Sequence, residues 1–327
     1  MRLIIDCDPG NGIPGANVDD GLALALALAA KPQLELELIS IVAGNTPREI
    51  GFAVANHLLQ QTGYAVPIAA GAARALCEPP EPWRAHLDRA IVNPDLLALW
   101  HDIPYPQVTA FPAPNAACAI GELICNHPGE ITLAAIGPLT NIAQALQLYP
   151  QMAQAVKEIV IMGGVFNVEG YLKDTNFGLD PEAAQQVLTS GANITLAPLD
   201  VTTQTMLTQA QLAQITLSDN ALCRYLRTTT QPWIEYSRHT RQLPGCWIHD
   251  ALVIAWLLEP GLVTTEDYYV DVALEGAITR GSSRRWRPAS LRLTVGMPEP
   301  QGKPIRVMQQ VDNSRLLDLI GNTLAQA

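Results

Sequence analysis

The stretch LIIDCDPGNGIPGANVDDGLALALALAA, residues 3–30, joins a short β-branched run to a longer run rich in Leu and Ala. The first part, Leu3–Asp6, is typical of a buried strand, and the last part, Asp20–Ala30, is typical of a buried helix. Four aspartates lie at this junction: Asp6, Asp8, Asp19 and Asp20. A strand that feeds directly into a helix predicts an α/β unit, with functional groups beyond the carboxyl end of the strand.

The same alternation continues through the first two thirds of the chain. Further strands are predicted at Leu36–Ala43, Ile131–Ile136, Glu158–Met162 and Asn193–Leu199. Further helices are predicted at Pro47–Gln61, Leu139–Leu148 and Pro181–Thr189, and a final one at Asn313–Leu324 after strand-like sequence beyond Gly276. Apolar strands alternating with helices indicate an α/β fold: an open, mainly parallel sheet with helices on both faces and a Rossmann-like core.

The chain is predicted to form a single domain over residues 1–327. It contains no internal repeat and no Pro/Gly/Ser-rich linker long enough to separate two domains. Residues at about 77–114 differ from the rest because they are rich in Pro and Trp. We expect them to form an irregular, cap-like insertion beside the sheet.

The composition excludes several classes of protein. With 48% hydrophobic and 16% charged residues, the chain is too apolar to be disordered. Its net charge of −11 argues against nucleic-acid partners, which are bound by clustered Lys and Arg. The apolar run at 21–30 is about half the length that a bilayer requires, so no membrane association is expected. The opening residues lack signal-peptide features, and six widely spaced cysteines are typical of buried free thiols, so we expect a cytoplasmic protein.

Polar residues follow each predicted strand, and the aspartates after the first strand have two interpretations. Carboxylates clustered between Pro and Gly suit a hard divalent cation such as calcium. Alternatively, Asp19 or Asp20 caps the following helix. The pair His249-Asp250 is similarly ambiguous, because Asp250 suits a helix cap as well as a metal ligand.

Taken in order along the chain, these segments resemble the inosine–uridine-preferring nucleoside hydrolase family. The matching segments are IIDCDPG with a following DD, IVAGN, ITLAAIGPLTNIA, IVIMGG, DTNFGLDPEAA and GCWIHDAL. The resemblance runs from about residue 2 to residue 320. It implies the family's open, mainly parallel sheet and hydrolysis of the N-glycosidic bond of ribonucleosides to free base and ribose. A homo-oligomer, dimer or tetramer, is implied by the resemblance alone.

The resemblance also implies a site that contains Ca²⁺. According to the resemblance, the ion is bound by the carboxylates of Asp8, Asp20 and Asp250 and by the backbone carbonyl of Ile136. Asp8 is the implied general base that takes a proton from water, and His249 is implied to assist the departing base. The implied ribose-binding residues are Asp19, Asn45, Asn167, Asp174 and Asn176.

The chain departs from the family pattern in ways that leave the preference for purine or pyrimidine open. Eight residues, Asn11–Val18, separate Gly10 from Asp19 where one is usual, and this loop either bulges away or covers the site. Asp174 stands where the family often has Glu. The aromatic residues Trp83, Tyr236 and Trp247 are compatible with base stacking and with ordinary packing. Two alternatives therefore remain: hydrolysis of another ribosyl compound, and a catalytically silent ribosyl-binding protein.

Overall fold

Apolar side chains on both faces of the first strand explain why its sequence does not alternate with polar residues. In a computed structural model, Leu3 and Ile5 belong to one buried apolar cluster, and Ile4 belongs to a second. The structure describes residues 1–77, 93–107, 111–113, 115–289 and 300–327. The predicted insertion at about 77–114 lies largely outside these ranges, so the cap-like form of the insertion remains a prediction. Trp83 also lies outside them.

Nine strands of the described ranges form one sheet. They are β1 Arg2–Cys7, β2 Glu35–Ile41, β3 Ile68–Ala70, β4 Ile131–Ala135, β5 Glu158–Met162, β6 Ile194–Ala197, β7 Val263–Val272, β8 Ser283–Trp286 and β9 Ile305–Val311. Their order is β3-β2-β1-β4-β5-β6-β9-β7-β8. Neighbours from β3 to β9 pair in parallel, whereas β7 pairs antiparallel with both β9 and β8. The predicted open and mainly parallel sheet is confirmed.

Helices cover both faces of the sheet. In the described ranges the α-helices are α1 Asp19–Ala29, α2 Arg48–Thr62, α3 Pro94–Leu97, α4 Ala116–Asn126, α5 Thr140–Leu148, α6 Met152–Ala155, α7 Thr175–Leu179, α8 Pro181–Leu188, α9 Leu199–Thr202, α10 Gln209–Ile215, α11 Ala221–Arg241, α12 His249–Leu258 and α13 Asn313–Leu324. Helices α1, α11, α12 and α13 contribute to one apolar cluster, and α4, α5 and α8 contribute to the other. Both clusters pack against the same sheet, as a single α/β domain requires.

Two regions differ from the sequence-based prediction. Helix α11 was not predicted, because its segment TTTQP at 228–232 combines β-branched residues with Pro232, which disfavour a helix. Burial of side chains such as Leu226 and Trp233 stabilises the helix in the folded chain. Strand β7 begins at Val263, before the predicted strand-like region beyond Gly276. In its second half, residues 268–272, buried and half-buried side chains alternate, as they do in an antiparallel strand with one covered face.

The strand order creates a crevice for ligands beside β1. The chain builds β1, β2 and β3 outward in one direction and then returns to place β4 on the other side of β1. At such a reversal the loops after the two central strands diverge, which leaves space at their carboxyl ends. Asp8 follows β1, and Ile136 follows β4.

Only half of the cysteines fit the expectation of buried thiols. All six are free, and Cys7, Cys223 and Cys246 are buried, whereas Cys77 and Cys118 are exposed.

Among the described residues, no helix combines the length and the apolar character needed to cross a bilayer.

Candidate active site

A buried hydrogen-bond network fixes the carboxyl end of β1. Asp6 is completely buried, and its Oδ1 accepts hydrogen bonds from Ser40 Oγ and from Asn141 Nδ2 at 2.8 Å. Asn141 Oδ1 in turn accepts the N–H of Ala72 at 2.7 Å. Burial raises the pKa of Asp6 to about 7. These contacts tie β1 to β2 and α5, and they set the position of the residues that follow.

Asp8 lies beyond this network, between two glycines. Its Oδ2 accepts the backbone N–H of Asn45, and its own N–H donates to Asp20 Oδ1 at 2.9 Å. A Cβ atom on Gly44 would overlap Asp8 Oδ2, and one on Gly137 would lie 3.0 Å from Oδ1. Glycine is therefore required at both strand ends, because the backbones approach the carboxylate directly.

Three further carboxylates converge at the start of α1 and α12. Oxygen atoms of Asp19, Asp20 and Asp250 lie within 4.8 Å of one another, and all three residues are buried. In the part of the chain that the structure describes, this is the one such group of metal-ligating side chains, and Asp8 is outside it. The backbone N–H of Asp250 donates to Asp19 Oδ2 at 3.3 Å, which joins the two helix starts.

Burial and mutual repulsion make this group unfavourable in its charged form. Burial, reinforced by the charge of Asp20, raises the pKa of Asp19 to about 7. The pKa values of Asp20 and Asp250 lie well above their usual range, because burial and the neighbouring carboxylates both disfavour ionisation. A divalent cation would offset both the cost of burying the charged carboxylates and the repulsion between them.

The donor set fits a hard cation. Asp19 Oδ1 is buried and has no hydrogen-bond partner among the described residues. The atoms that converge here are carboxylate oxygens, which calcium and magnesium prefer over the nitrogen and sulfur ligands typical of zinc. Helix capping does not explain the cluster, because the residues before α1 and α12 make no side-chain capping hydrogen bond and the aspartates lie inside the helices.

Hydrogen bonds hold three of the predicted ribose-binding residues at the strand ends, and one of the three, Asn45, contacts the cluster directly. Asn45 Nδ2 donates to Asp20 Oδ2 at 3.2 Å, and Asn176 Nδ2 donates to the Ile136 carbonyl at 2.9 Å. Asp174 caps α7 by accepting the N–H of Phe177, and its other oxygen accepts the N–H of Gly164.

A cavity of about 420 Å³ opens above these groups. Its floor is formed by strand-end residues and the starts of helices: Asp19, Asn45, Ile136, Met162, Asp174, Thr175, Asn176, Leu199, His249 and Asp250. Its wall is formed by loop residues and α11: Gly15, Ala16, Asn17, Tyr171, Lys173, Trp233, Arg241 and Trp247. Asn167 is exposed and does not line the cavity; its backbone N–H donates to Asp200 instead.

His249 is buried at the edge of this cavity. Its Nδ1 lies 2.7 Å from Thr202 Oγ1, and its ring centroid lies 5.7 Å from that of Trp247. Burial, together with the charge of Arg241, lowers the pKa of His249 to about 3. The imidazole is therefore neutral at neutral pH, so it acts in the resting protein as a hydrogen-bonding group.

The sequence matches the family model of inosine-uridine preferring nucleoside hydrolases over residues 3–318. This match covers nearly the whole chain, including every group described above. The chain belongs to the nucleoside hydrolase family. The predicted family and its class of reaction, N-glycosidic bond hydrolysis, are confirmed.

Individual nucleoside hydrolases show the same relationship in sequence and in structure. The non-specific ribonucleoside hydrolase RihC of Salmonella agona is 34% identical over 305 residues, which cover 91% of this chain and 93% of that protein. The plant nucleoside hydrolase PpNRh1 superposes with a TM-score of 0.82 at 26% identity, covering 99% of this chain and 98% of that one. The purine-preferring ribonucleoside hydrolase of Gardnerella vaginalis superposes with a TM-score of 0.79 at 26% identity, covering 99% of this chain and 98% of that one.

Several cavity residues of this nucleoside hydrolase were missed from the sequence. Trp233 and Arg241 lie on the unpredicted helix α11, and the Arg241 guanidinium lies 4.7 Å from the centroid of the Trp233 ring. Tyr236, considered above as a stacking residue, packs behind Trp233 with ring centroids 5.5 Å apart. Trp247 does line the cavity. The sequence signal that could have identified them is the tryptophan in the segment that follows the last predicted strand and helix.

Proposed function

We propose that this protein hydrolyses the N-glycosidic bond of ribonucleosides with the help of Ca²⁺ bound at the first strand end. The observation that carries this proposal is the buried group Asp19, Asp20 and Asp250, of which Asp19 and Asp250 line a cavity of about 420 Å³. Asp8, Asp20, Asp250 and the Ile136 carbonyl are the proposed ligands. When bound, the ion lowers the pKa of water in its coordination sphere.

Asp8 is the proposed general base. Its carboxylate accepts a proton from the attacking water while the water oxygen bonds to C1′ of the ribose and the bond from C1′ to the base breaks. The base leaves with the bonding electron pair as an anion and then takes up a proton from solvent water, while Asp8 later releases its proton to solvent. Because the Asn45 N–H and the two glycines fix the Asp8 carboxylate, little rearrangement is needed for this transfer.

The acidic floor suits the sugar in the transition state. Breaking the glycosidic bond develops positive charge on the ribose ring, and carboxylate and amide oxygens stabilise that charge. Asp19, Asn45, Asp174 and Asn176 are the proposed ribose-binding residues, and all four line the cavity. Asn167 is the weakest member of the predicted set, because its side chain would have to reach the sugar from outside the cavity lining.

Release of free ribose from a panel of purine and pyrimidine ribonucleosides, with calcium present, tests the proposal. We expect hydrolysis with kcat in the range of about 1–1,000 s⁻¹ for at least one group of bases. The panel also includes nicotinamide riboside as a different ribosyl compound. Calcium binding with no release from any compound would contradict hydrolysis and favour a silent ribosyl-binding protein.

The loop Asn11–Val18 is the proposed determinant of base preference. Asn11 anchors it by donating from Nδ2 to Thr229 Oγ1 on α11 at 3.2 Å, and Gly15, Ala16 and Asn17 reach the cavity. We expect Asn17→Ala to change the ratio of kcat/KM for purine and pyrimidine nucleosides by about tenfold, because pocket contacts discriminate at that level.

Steady-state kinetics on one purine and one pyrimidine nucleoside measure this ratio. The matched control is Asn322→Ala, an exposed asparagine on α13 outside the cavity lining, which should leave the ratio unchanged. An unchanged ratio in Asn17→Ala would show that the loop does not contact the base.

We further propose that the enzyme acts in the cytoplasm as a homo-oligomer, a dimer or a tetramer. The free cysteines support a reducing compartment. The oligomeric state rests on the family resemblance.

A further inference from the structure

Two buried threonines in the segment that follows β6 contact His249 and the residue before it. Thr202, the last residue of α9, places its hydroxyl 2.7 Å from His249 Nδ1. Thr205 Oγ1 accepts the N–H of Ile248 at 3.1 Å and donates to the Thr202 carbonyl at 2.7 Å. Both threonines are completely buried. The short segment from Thr202 to Thr205 thus fixes both the imidazole ring of His249 and the backbone of the preceding residue.

The direction of the hydrogen bond between Thr202 and His249 follows from its surroundings. Within the described part of the chain, Thr202 Oγ1 has no hydrogen-bond partner other than His249 Nδ1. If Nδ1 carried the ring proton, Thr202 would accept it, and the buried hydroxyl proton would have no acceptor. An unsatisfied buried hydroxyl is unfavourable by about 1–3 kcal/mol. The hydroxyl therefore donates to Nδ1, and the ring proton resides on Nε2.

The position of His249 gives this tautomer a chemical role. His249 lines the cavity, and its Nε2 has no partner among the described residues. We propose that Thr202 is a positioning residue that fixes His249 as a hydrogen-bond donor to the departing base. The Nε2–H group then donates to the ring nitrogen or carbonyl oxygen of the base on which negative charge develops as the glycosidic bond breaks. No proton leaves His249 in this step, so the imidazole stays neutral.

This inference rests on the proposed hydrolysis, and it predicts a dependence on the leaving group. A purine or pyrimidine anion is a poor leaving group and benefits from a donor, whereas p-nitrophenolate leaves readily without one. We expect Thr202→Val, which keeps the shape and removes the hydroxyl, to lower kcat/KM about tenfold for the best ribonucleoside. With p-nitrophenyl β-ribofuranoside, kcat/KM should change less than about twofold.

Two further variants separate positioning from structural support. Thr202→Ser retains the hydroxyl and should restore most of the ribonucleoside activity. Thr205→Val removes an equally buried hydroxyl that contacts the backbone and not the ring, so it should affect both substrates alike. Equal losses on both substrates in Thr202→Val, or no loss on either, would overturn the role of Thr202.

A spectroscopic measurement checks the tautomer without using activity. In ¹⁵N-histidine-labelled protein, the His249 shifts should show the Nε2–H form, and Thr202→Val should reduce that preference. An Nδ1–H form in the unmodified protein would overturn the inference even if the enzyme hydrolyses nucleosides. Absence of hydrolysis of both substrates by the unmodified protein would instead overturn the proposed function, and with it the leaving-group role.

Discussion

Replacement of Asp8 by Asn is expected to lower kcat about a thousandfold while the chain remains folded. The amide cannot accept a proton from water, so the attacking group loses its base. The fold is preserved because Asn is nearly isosteric, and its carbonyl oxygen can still accept the backbone N–H of Asn45. The variant also keeps the close fit against Gly44 and Gly137.

Single-turnover kinetics of ribose release, combined with circular dichroism and thermal unfolding, measure the two parts of this expectation. Asp102→Asn is the matched control, because it makes the same chemical change at a side chain that is 96% exposed. Near-normal turnover in Asp8→Asn would remove Asp8 as the base. Lost secondary structure would instead assign the carboxylate a structural role.

Chelation of the bound cation with EDTA is expected to abolish turnover and to lower the melting temperature. Without the cation, Asp19, Asp20 and Asp250 are buried carboxylates whose pKa values are raised by burial and by each other. A cation that binds only the native state at a hundredfold its Kd stabilises that state by about 2.7 kcal/mol. For a chain of 327 residues, this corresponds to about 4 °C in Tm.

Calorimetry and activity assays after exhaustive chelation, followed by return of Ca²⁺ or Mg²⁺, test this expectation. Recovery with calcium and not with magnesium would identify the ion, since magnesium demands a stricter octahedral geometry. Asp250→Asn should weaken calcium binding, whereas Asp102→Asn should not. Full activity after chelation would exclude a metal requirement.

The sheet and the floor of the site were largely predictable from the sequence. Parallel strands end at one edge, so the polar residues that follow β1, β2 and β4 had to converge there. Asp8 and Asn45 accordingly contact each other through Asp8 Oδ2 and the Asn45 backbone N–H. The grouping of Asp19 and Asp20 with Asp250, 230 residues further along the chain, followed only from the family resemblance, because no local pattern links helix starts so far apart.

The wall of the site was less predictable, because it depends on tertiary packing. Helix α11 has a sequence of weak helical propensity and is stabilised by burial of Trp233 and its neighbours. Thr202 belongs to a four-residue helix that no periodic pattern can reveal. Its relation to His249 becomes visible only when the chain between them is folded.

The division of the cavity into a floor of strand ends and a wall of α11 and the loop Asn11–Val18 has a consequence for enzyme engineering. The floor is anchored in the sheet, and Gly44 and Gly137 tolerate no larger side chain beside Asp8. The wall is built from elements that contact each other, as Asn11 and Thr229 do, and that contribute no proposed ligand. A library confined to wall residues such as Asn17, Trp233 and Arg241, with Asn11 and Thr229 retained to hold the loop on α11, can therefore explore new nucleobases while the bond-breaking machinery stays intact.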